Sequence, residues 1–125
     1  MAAQLKADRV DDRDVAEEMV NEVRVIGRLS APPEEREMPS GDLMVAFRVV
    51  VPRVPDAKRR TTVDALECVA WSSRTRRSVG AWRQDDVVEV TGQLRRRFFR
   101  TASGPASRVE IEVLRARVIR RARTG

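Results

Sequence analysis

Apolar and polar residues alternate along several stretches of this chain, and the clearest of them is "LMVAFRVVVPR", residues 43–53. One side of the alternation carries Leu43, Val45, Phe47, Val49 and Val51, and the other side carries Met44, Ala46, Arg48 and Val50. A period of two is typical of a β-strand, because successive side chains of a strand point to opposite faces. The stretch therefore predicts a strand with one fully apolar face, on which Phe47 belongs to the core.

Four further stretches repeat this alternation between turn-forming sequences: "EVRVIGRLS", "TTVDALECVAW", "DVVEVTGQLRRRFFR" and "RVEIEVLRARVIRR". Before the fourth of the five strands, "SSRTRRSVGAWRQD" breaks the alternation. There Ser72 or Ser73 is suited to cap a short helix, and Val79 and Trp82 share one side of it. The loop "APPEEREMPSGD" has room for a short edge strand at "EREM". The pattern predicts an all-β fold of five strands with one short helix between strands 3 and 4, and closure into a barrel removes exposed strand edges.

The fourth strand carries the densest positive charge of the chain beside two rings. Counting by twos places Phe98 on the face that contains Val88 and Val90, which predicts that this ring is buried. The same count turns Phe99 outward, on the face that carries Arg95 and Arg97. An outward phenylalanine between arginines suits single-stranded nucleic acid, whose bases stack on the ring while its phosphates pair with the guanidinium groups.

Trp71 is the second ring that alternation places outside the core, at the end of the third strand. The competing interpretation is that Trp71 and Phe99 fill a subunit interface or cover one end of the barrel. For Trp82 the structural interpretation is favoured, since its spacing from Val79 is that of a helix anchored on the barrel. Cys68 falls on the core face of its strand and is predicted to be buried.

Composition narrows the classes of function. The chain has 125 residues, no histidine and a single cysteine, so an internal disulfide is impossible and a transition-metal site is not expected. The commonest general base is missing too, and we expect neither enzymatic activity nor a cofactor. No apolar run approaches the roughly 20 residues of a membrane span, and residues 1–21 lack the apolar core of a secretory signal.

Charge is unevenly distributed along the chain. The formal net charge is +6, yet residues 1–20 hold three basic and six acidic side chains, so that the remainder carries +9. A basic body is compatible with a polyanionic partner. Nearly all the cations are arginine, however, and an arginine-biased genome would produce the same excess in any protein.

The order of these blocks resembles the bacterial single-stranded DNA-binding protein family. "EVRVIGRLSAPPEEREMPSGDLMVAFRVVVPR" is similar to the opening of that family, with its first strand, charged stretch, "PSG" turn and second strand. "DALECVAWSSRTRRSVGAWRQDDVVEVTGQLRRRFF" is similar to its later block. The resemblance spans about residues 22–120. It implies an OB-fold Greek-key barrel, a homotetramer, and binding of single-stranded DNA without strong sequence preference in replication, recombination or repair.

The resemblance also implies roles for particular residues. Trp71 and Phe99 match stacking aromatics of the family, and Arg95 and Arg97 match basic residues beside the second ring. A third stacking ring, usual in the loop after the second strand, has no counterpart in "VPRVPDAKRR". The predicted phosphate contacts are Arg48, Arg53, Lys58, Arg59, Arg60, Arg95, Arg97 and Arg100.

The chain departs from the family at both ends. We expect residues 1–21 to form a flexible acidic arm, 22–121 the DNA-binding domain and 122–125 a short basic tail. The family's acidic C-terminal tip, which recruits other proteins, is missing from "RRARTG", which indicates a tail-less paralogue or a truncated chain. The arm is hypothesised to compete with DNA, so that deletion of residues 1–20 tightens binding at low salt. The resemblance places the protein in the bacterial cytoplasm, with the nucleoid.

The sequence is compatible with two other functions. One is an interaction module within a replication, repair or DNA-uptake complex that touches DNA only weakly. The other is a nuclease on the same barrel, which needs clustered carboxylates. Only Glu67 and Glu89 are placed on the binding face by alternation, and strand pairing alone accounts for them.

Overall fold

The computed structural model describes residues 18–54 and 62–123. These residues form six strands and one helix: β1 (Val23–Leu29), β2 (Glu34–Glu37), β3 (Leu43–Pro52), β4 (Val63–Ala70), α1 (Ser73–Gly80), β5 (Val87–Thr101) and β6 (Gly104–Arg120). The predicted basic tail falls partly outside the described residues, as do most of the predicted acidic arm and Lys58, Arg59 and Arg60 in the β3–β4 loop.

The sheet closes on itself as a barrel. Its strand order is β1-β5-β6-β4-β3-β2, and an additional antiparallel pairing between β1 and β3, with Arg28 opposite Val50, completes the ring. β4 and β6 run parallel, and the other pairings are antiparallel. This is the predicted all-β OB-fold barrel with a short helix between the third and fourth barrel strands. β2 is an exposed strand on the edge of β3, one residue before the predicted "EREM" segment.

The barrel interior is filled by the residues that alternation assigned to it. Phe47, Cys68, Val49, Val88 and Val90 are all buried in one cluster, so the core assignments of Phe47 and Cys68 are confirmed. Burial raises the pKa of the Cys68 thiol to about 12, and the nearby carboxylates of Glu67 and Glu110 act in the same direction. The thiol is therefore protonated and inert at neutral pH.

Helix α1 covers one end of the barrel as its sequence predicts. The Ser72 hydroxyl accepts a hydrogen bond from the backbone N–H of Thr75 at 3.1 Å and so caps the first turn. Val79 and Trp82 are buried, and the Trp82 ring meets Phe47 edge to face with 5.3 Å between ring centroids. Trp82 thus anchors the helix segment to the core.

Gly92 marks the point where β5 and β6 change their course. A Cβ at Gly92 would lie 2.0 Å from the backbone oxygen of Glu112, so the close approach of the two strands requires glycine. The register shifts between Thr91 and Gly92, where Leu114 of β6 is left without a direct partner. Val113 and Ala116, on either side of the shift, both face the core although they are three residues apart.

Beyond Leu94, β5 and β6 leave the barrel as a two-stranded extension, residues 95–101 and 104–110, which we call the ribbon. In the described structure β5 pairs with β1 only as far as Gly92, and β6 pairs with β4 only at Ile111 and Glu112. The ribbon residues therefore pair only with each other.

The predicted burial of Phe98 is wrong. Phe98 lies in the ribbon and its side chain is 75% exposed. Alternation assigned the ring to the correct face, shared with Val88 and Val90, but the barrel ends before Phe98. No core remains at that point for the ring to enter.

Asn21 precedes β1 and joins it to β5. Its side-chain amide donates to the backbone oxygen of Leu94 and accepts from the N–H of Leu94, both at 2.9 Å. These two bonds extend the pairing of β1 with β5 by two residues beyond Val23 and Gly92. None of the described residues belongs to a helix of the length and apolar character needed to span a membrane.

Candidate nucleic-acid interface

The candidate interface is the outer face, which we define as the outward side chains of β3, β4 and β6 together with the ribbon side that carries Phe99. On β3 and β4, Arg48 and Glu67 lie directly opposite each other, and the Arg48 Nε donates to Glu67 at 2.9 Å. On β6, Glu110 and Glu112 lie on the same face and approach the ribbon arginines. Cations and carboxylates therefore alternate across the face.

Phe99 is 38% exposed on the ribbon side of this face. The guanidinium carbon of Arg108 lies over the ring, 5.4 Å from its centroid, in a cation–π contact across the two strands. The ring is thus held by a cation while part of it remains open to solvent. A planar base has both an aromatic surface and a guanidinium plane to stack on here.

Trp71 directly follows β4 and precedes the capping residue of α1. It is half-buried and does not belong to the core cluster. Its backbone oxygen accepts a hydrogen bond from the Arg76 side chain, which fixes the chain where the strand turns into the helix. The indole is therefore partly accessible at a well-defined position on the barrel.

The two rings are not close together. Trp71 is three residues beyond Cys68, which pairs with Ile111, whereas Phe99 pairs with Ala106, five residues before Ile111. That difference of eight residues corresponds to roughly 25 Å along the strands at about 3.3 Å per residue. A nucleic-acid chain that contacts both Trp71 and Phe99 must therefore run the length of the outer face.

Three of the predicted phosphate contacts have partly exposed carboxylate partners. Besides the Arg48–Glu67 pair, Arg53 meets Asp64 at 2.8 Å and Arg95 meets Glu112 at 3.4 Å. The hydrogen bond and the charge of Asp64 raise the pKa of Arg53 above its ordinary value. Exposed pairs of this kind contribute only about 0–1 kcal/mol, so an incoming phosphate can exchange for the carboxylate.

Arg97 is the least accessible of the ribbon arginines in ion pairs on the outer face, with its side chain 31% exposed. One Nη lies 3.8 Å from the Glu110 carboxylate and the other donates to the Met38 sulfur at 3.5 Å. The first of these nitrogens is buried and makes no hydrogen bond within the described structure. The contact with Met38 joins the turn after β2 to the ribbon across the outer face.

The structure separates Arg100 from the other predicted contacts. Register pairs Arg100 with Pro105 and Phe99 with Ala106, so that Arg100 lies on the ribbon side that carries Phe98.

Sequence reasoning missed the exposed Phe98, and it missed Arg108 as the partner of Phe99. The signal for Phe98 was strand length: the fourth alternating stretch runs 15 residues, against 8 in β4, so its end has to project beyond the barrel.

A second group of arginines lies on β1 and β6, away from the ribbon, and pairs with a carboxylate of β5. Arg24 and Arg117 each contact the Glu89 carboxylate at 2.6 Å. Hydrogen bonding from Arg117 is the largest cause that lowers the pKa of Glu89, and Arg24 adds to it against the cost of desolvation. Glu89 is thus neutralised by its own arginines and lies apart from Glu67, which pairs with Arg48.

The sequence of this chain matches that of a known protein family and of several of its members. Residues 20–119 match the single-strand binding protein family. Single-stranded DNA-binding proteins of Mycolicibacterium smegmatis and Bacillus subtilis are 33% and 26% identical to the chain over 97 and 87 residues, which cover 73% and 69% of it. These aligned regions are 59% and 51% of the relatives, so the chain spans just over half the length of the curated relatives it matches.

A solved structure shares the fold. The structure described as the Plasmodium falciparum SSB complex with ssDNA superposes with a TM-score of 0.68 at 20% identity, and the match covers 82% of this chain and 95% of that one. The matched family region includes every strand and the helix except the last residue of β6. The chain therefore belongs to the single-strand binding protein family.

Proposed function

We propose that this protein binds single-stranded DNA largely without sequence preference, by stacking unpaired bases on Trp71 and Phe99 and by pairing phosphates with arginines of the outer face. The observation that carries the proposal is the exposed Phe99 ring with Arg108 over it, at the outer face of a barrel of this family. A ring kept partly in water beside a cation gains from a planar, anionic ligand.

Stacking supplies the preference for unpaired bases. Each base that stacks on an exposed aromatic side chain contributes about 1–3 kcal/mol, and this contribution tolerates any base because every base has a π face. The bases of a duplex are already stacked on one another and are not available to Trp71 or Phe99. The mechanism is therefore sequestration of single strands without a catalytic step.

Phosphate contacts supply the remaining affinity by exchange of ion pairs. Arg48, Arg53 and Arg95 each point a guanidinium group at a partly exposed carboxylate, and a backbone phosphate, which carries the same single negative charge, can take the place of that carboxylate. Arg100 has no carboxylate partner among the described residues. Lys58, Arg59 and Arg60 are included in the proposal on their sequence positions alone.

The proposal is tested by titrating the protein with oligo-dT and with a duplex of equal length while tryptophan fluorescence is followed. We expect strong quenching by oligo-dT, because Trp71 is partly accessible whereas Trp82 is buried and serves as an internal reference. The Trp71→Phe variant should lose most of the quenching. Equal affinity for single strand and duplex, or no binding of either, overturns the proposal.

A homotetramer, a location with the bacterial nucleoid in the cytoplasm, and a part in replication, recombination or repair are proposed on the family resemblance. The mass of the protein in solution tests the first of these. A tetramer offers four outer faces to one strand, which lengthens the DNA site without any new kind of contact.

The second candidate function is an interaction module with weak DNA binding. It is favoured by the carboxylates beside Arg48, Arg53, Arg95 and Arg97, which offset part of the positive charge of the outer face. The same titration separates the two candidates: micromolar or weaker affinity at low salt with no quenching supports the module.

A further inference from the structure

Phe98 is the most exposed aromatic ring among the described residues. Its side chain is 75% exposed, twice the fraction of Phe99. Phe98 and Phe99 are consecutive residues of a regular strand, so their side chains point to opposite sides of the ribbon. A ligand that covers a ring of this size removes apolar area from water, which is favourable.

The surroundings of Phe98 form a face of their own, which we call the Phe98 face. Register places six residues on it: Arg96, Phe98, Arg100, Pro105, Ser107 and Val109. A hydrogen bond of 3.2 Å from Arg96 to the Ser107 hydroxyl crosses the two strands on this side. Because the ribbon residues pair only with each other, no described strand flanks this face.

Charge distinguishes the Phe98 face from the opposite side of the ribbon. On the Phe99 side, Arg95, Arg97 and Arg108 each lie within 4 Å of Glu110 or Glu112. The Phe98 face contains two arginines and no acidic residue. Within the described structure neither Arg96 nor Arg100 forms an ion pair, and both are exposed.

We propose that the Phe98 face is a second site for single-stranded nucleic acid, at which an unpaired base stacks on Phe98 and the flanking phosphates pair with Arg96 and Arg100. The inference rests on the proposed function and extends it from one side of the ribbon to both. The ribbon then offers one stacking ring on each side, Phe98 and Phe99, and a long single-stranded nucleic acid passes around its end.

Charge complementarity selects nucleic acid as the occupant. The ribbon of a second copy would bring its own five arginines against Arg96 and Arg100, and burial of two unpaired guanidinium groups against apolar residues is unfavourable. A polyanion with planar bases satisfies the ring and both arginines together.

The first test measures the affinity of oligo-dT of about 30 nucleotides, long enough to reach both sides of the ribbon. Phe98→Ala and Phe98→Leu should each weaken binding roughly 5- to 150-fold, because leucine keeps apolar area but has no π face. Phe98→Trp should bind at least as tightly as the original protein. Ile26→Ala is the control: it removes an exposed apolar side chain of β1, outside the outer face and the ribbon, and should leave the affinity unchanged.

The second test replaces Arg96 and Arg100 with glutamine together. The slope of log affinity against log salt should become less negative by about 1.4, since each phosphate contact contributes about 0.7 on single strands. An unchanged slope means that these arginines do not contact phosphate and overturns the inference.

The outcomes separate the inference from the proposed function. If Phe99→Ala weakens binding and Phe98→Ala does not, the function stands and the Phe98 site is overturned. If the original protein does not bind oligo-dT, the proposed function fails and the Phe98 site fails with it. If Phe98→Ala changes the mass in solution and leaves the affinity unchanged, the ring belongs to a contact between copies, which also overturns the site.

Discussion

Phe99 is partly in water and is covered by the Arg108 guanidinium group. We expect such a ring to contribute little to the stability of the barrel and more to the affinity for a ligand. The Arg108 contact is a cross-strand pair, which contributes a few tenths of a kcal/mol up to about 1 kcal/mol to the sheet. A base that replaces solvent on the ring gains more than that. Substitutions of Phe99 and Trp71 should therefore change the affinity for single-stranded DNA more than the stability of the fold.

We predict that Phe99→Ala and Trp71→Ala each weaken binding of oligo-dT by about 1–3 kcal/mol. The free energy of unfolding of Phe99→Ala should change by less than about 1 kcal/mol, because the ring lies outside the core. Anisotropy of a labelled oligonucleotide and urea denaturation measure the two quantities. Unchanged affinity in both variants moves the rings to a subunit interface.

Carboxylates on the outer face set how much of its positive charge is available. Glu112→Gln releases Arg95 from its ion pair, and we expect affinity for oligo-dT at low salt to rise about 1.5- to 5-fold. The matched control is Asp85→Asn, which releases Arg28 away from the outer face and should have a smaller effect. Equal effects of the two variants would show that only net charge matters.

At the scale of elements, a buried carboxylate holds the end of β6 to the turn before β5. Asp86 is fully buried and accepts hydrogen bonds from the backbone N–H groups of Arg83 and Ala122, at 2.9 and 2.7 Å. Desolvation acts to raise the pKa of Asp86, but these bonds and the charge of Arg121 outweigh it, so the pKa lies below its ordinary value. The ionised form therefore stabilises the fold.

We predict that Asp86→Ala lowers the free energy of unfolding by about 2–4 kcal/mol, because the backbone N–H groups of Arg83 and Ala122 lose a buried, charged acceptor. Since the folded pKa is the lower one, the contribution of Asp86 is complete above the unfolded value, near pH 3.9, and disappears as the pH falls through the folded pKa. Urea denaturation of both proteins from pH 7 to pH 3 measures it. A difference between them that does not shrink on acidification contradicts the ionic explanation.

The close approach of β5 and β6 at Gly92 gives a second prediction at this scale. Gly92→Ala should destabilise the protein by about 1–3 kcal/mol or more, since the new Cβ meets backbone. Gly80→Ala is the matched control: nothing lies within 4 Å of its Cβ, and alanine favours the helix. Thermal unfolding should shift down for the first variant and stay level or rise for the second.

The sequence predicted correctly which face of a strand each side chain occupies. It did not predict which strands lie beside that residue or how they are registered. Alternation assigned Phe47, Cys68 and Phe99 to the correct sides, because the period of two is a property of the strand itself. It failed for Phe98, since parity does not say where the neighbouring strands end. Ion pairs such as Arg95–Glu112 depend on register across β5 and β6, which alternation within one strand cannot supply.

Over the described molecule, positive charge is carried by arginines, and those in ion pairs are exposed except for the half-buried Arg97. We predict that affinity for oligo-dT falls steeply with salt, with a log–log slope of roughly −0.7 for each phosphate neutralised. Four or more contacts would give a slope near −3 or steeper. A slope near zero would assign the binding energy to stacking alone and would contradict the role of the arginines.

The projecting ribbon has a further consequence for how copies of this protein behave together. Both of its long edges present backbone N–H and C=O groups beside which no strand of residues 18–54 or 62–123 lies, and such edges invite another chain to add a strand. Five arginines along 95–108 set like charges against any second ribbon that approaches. The charges proposed to bind phosphates are thus the same ones that oppose pairing between ribbons, so that their removal would weaken both properties.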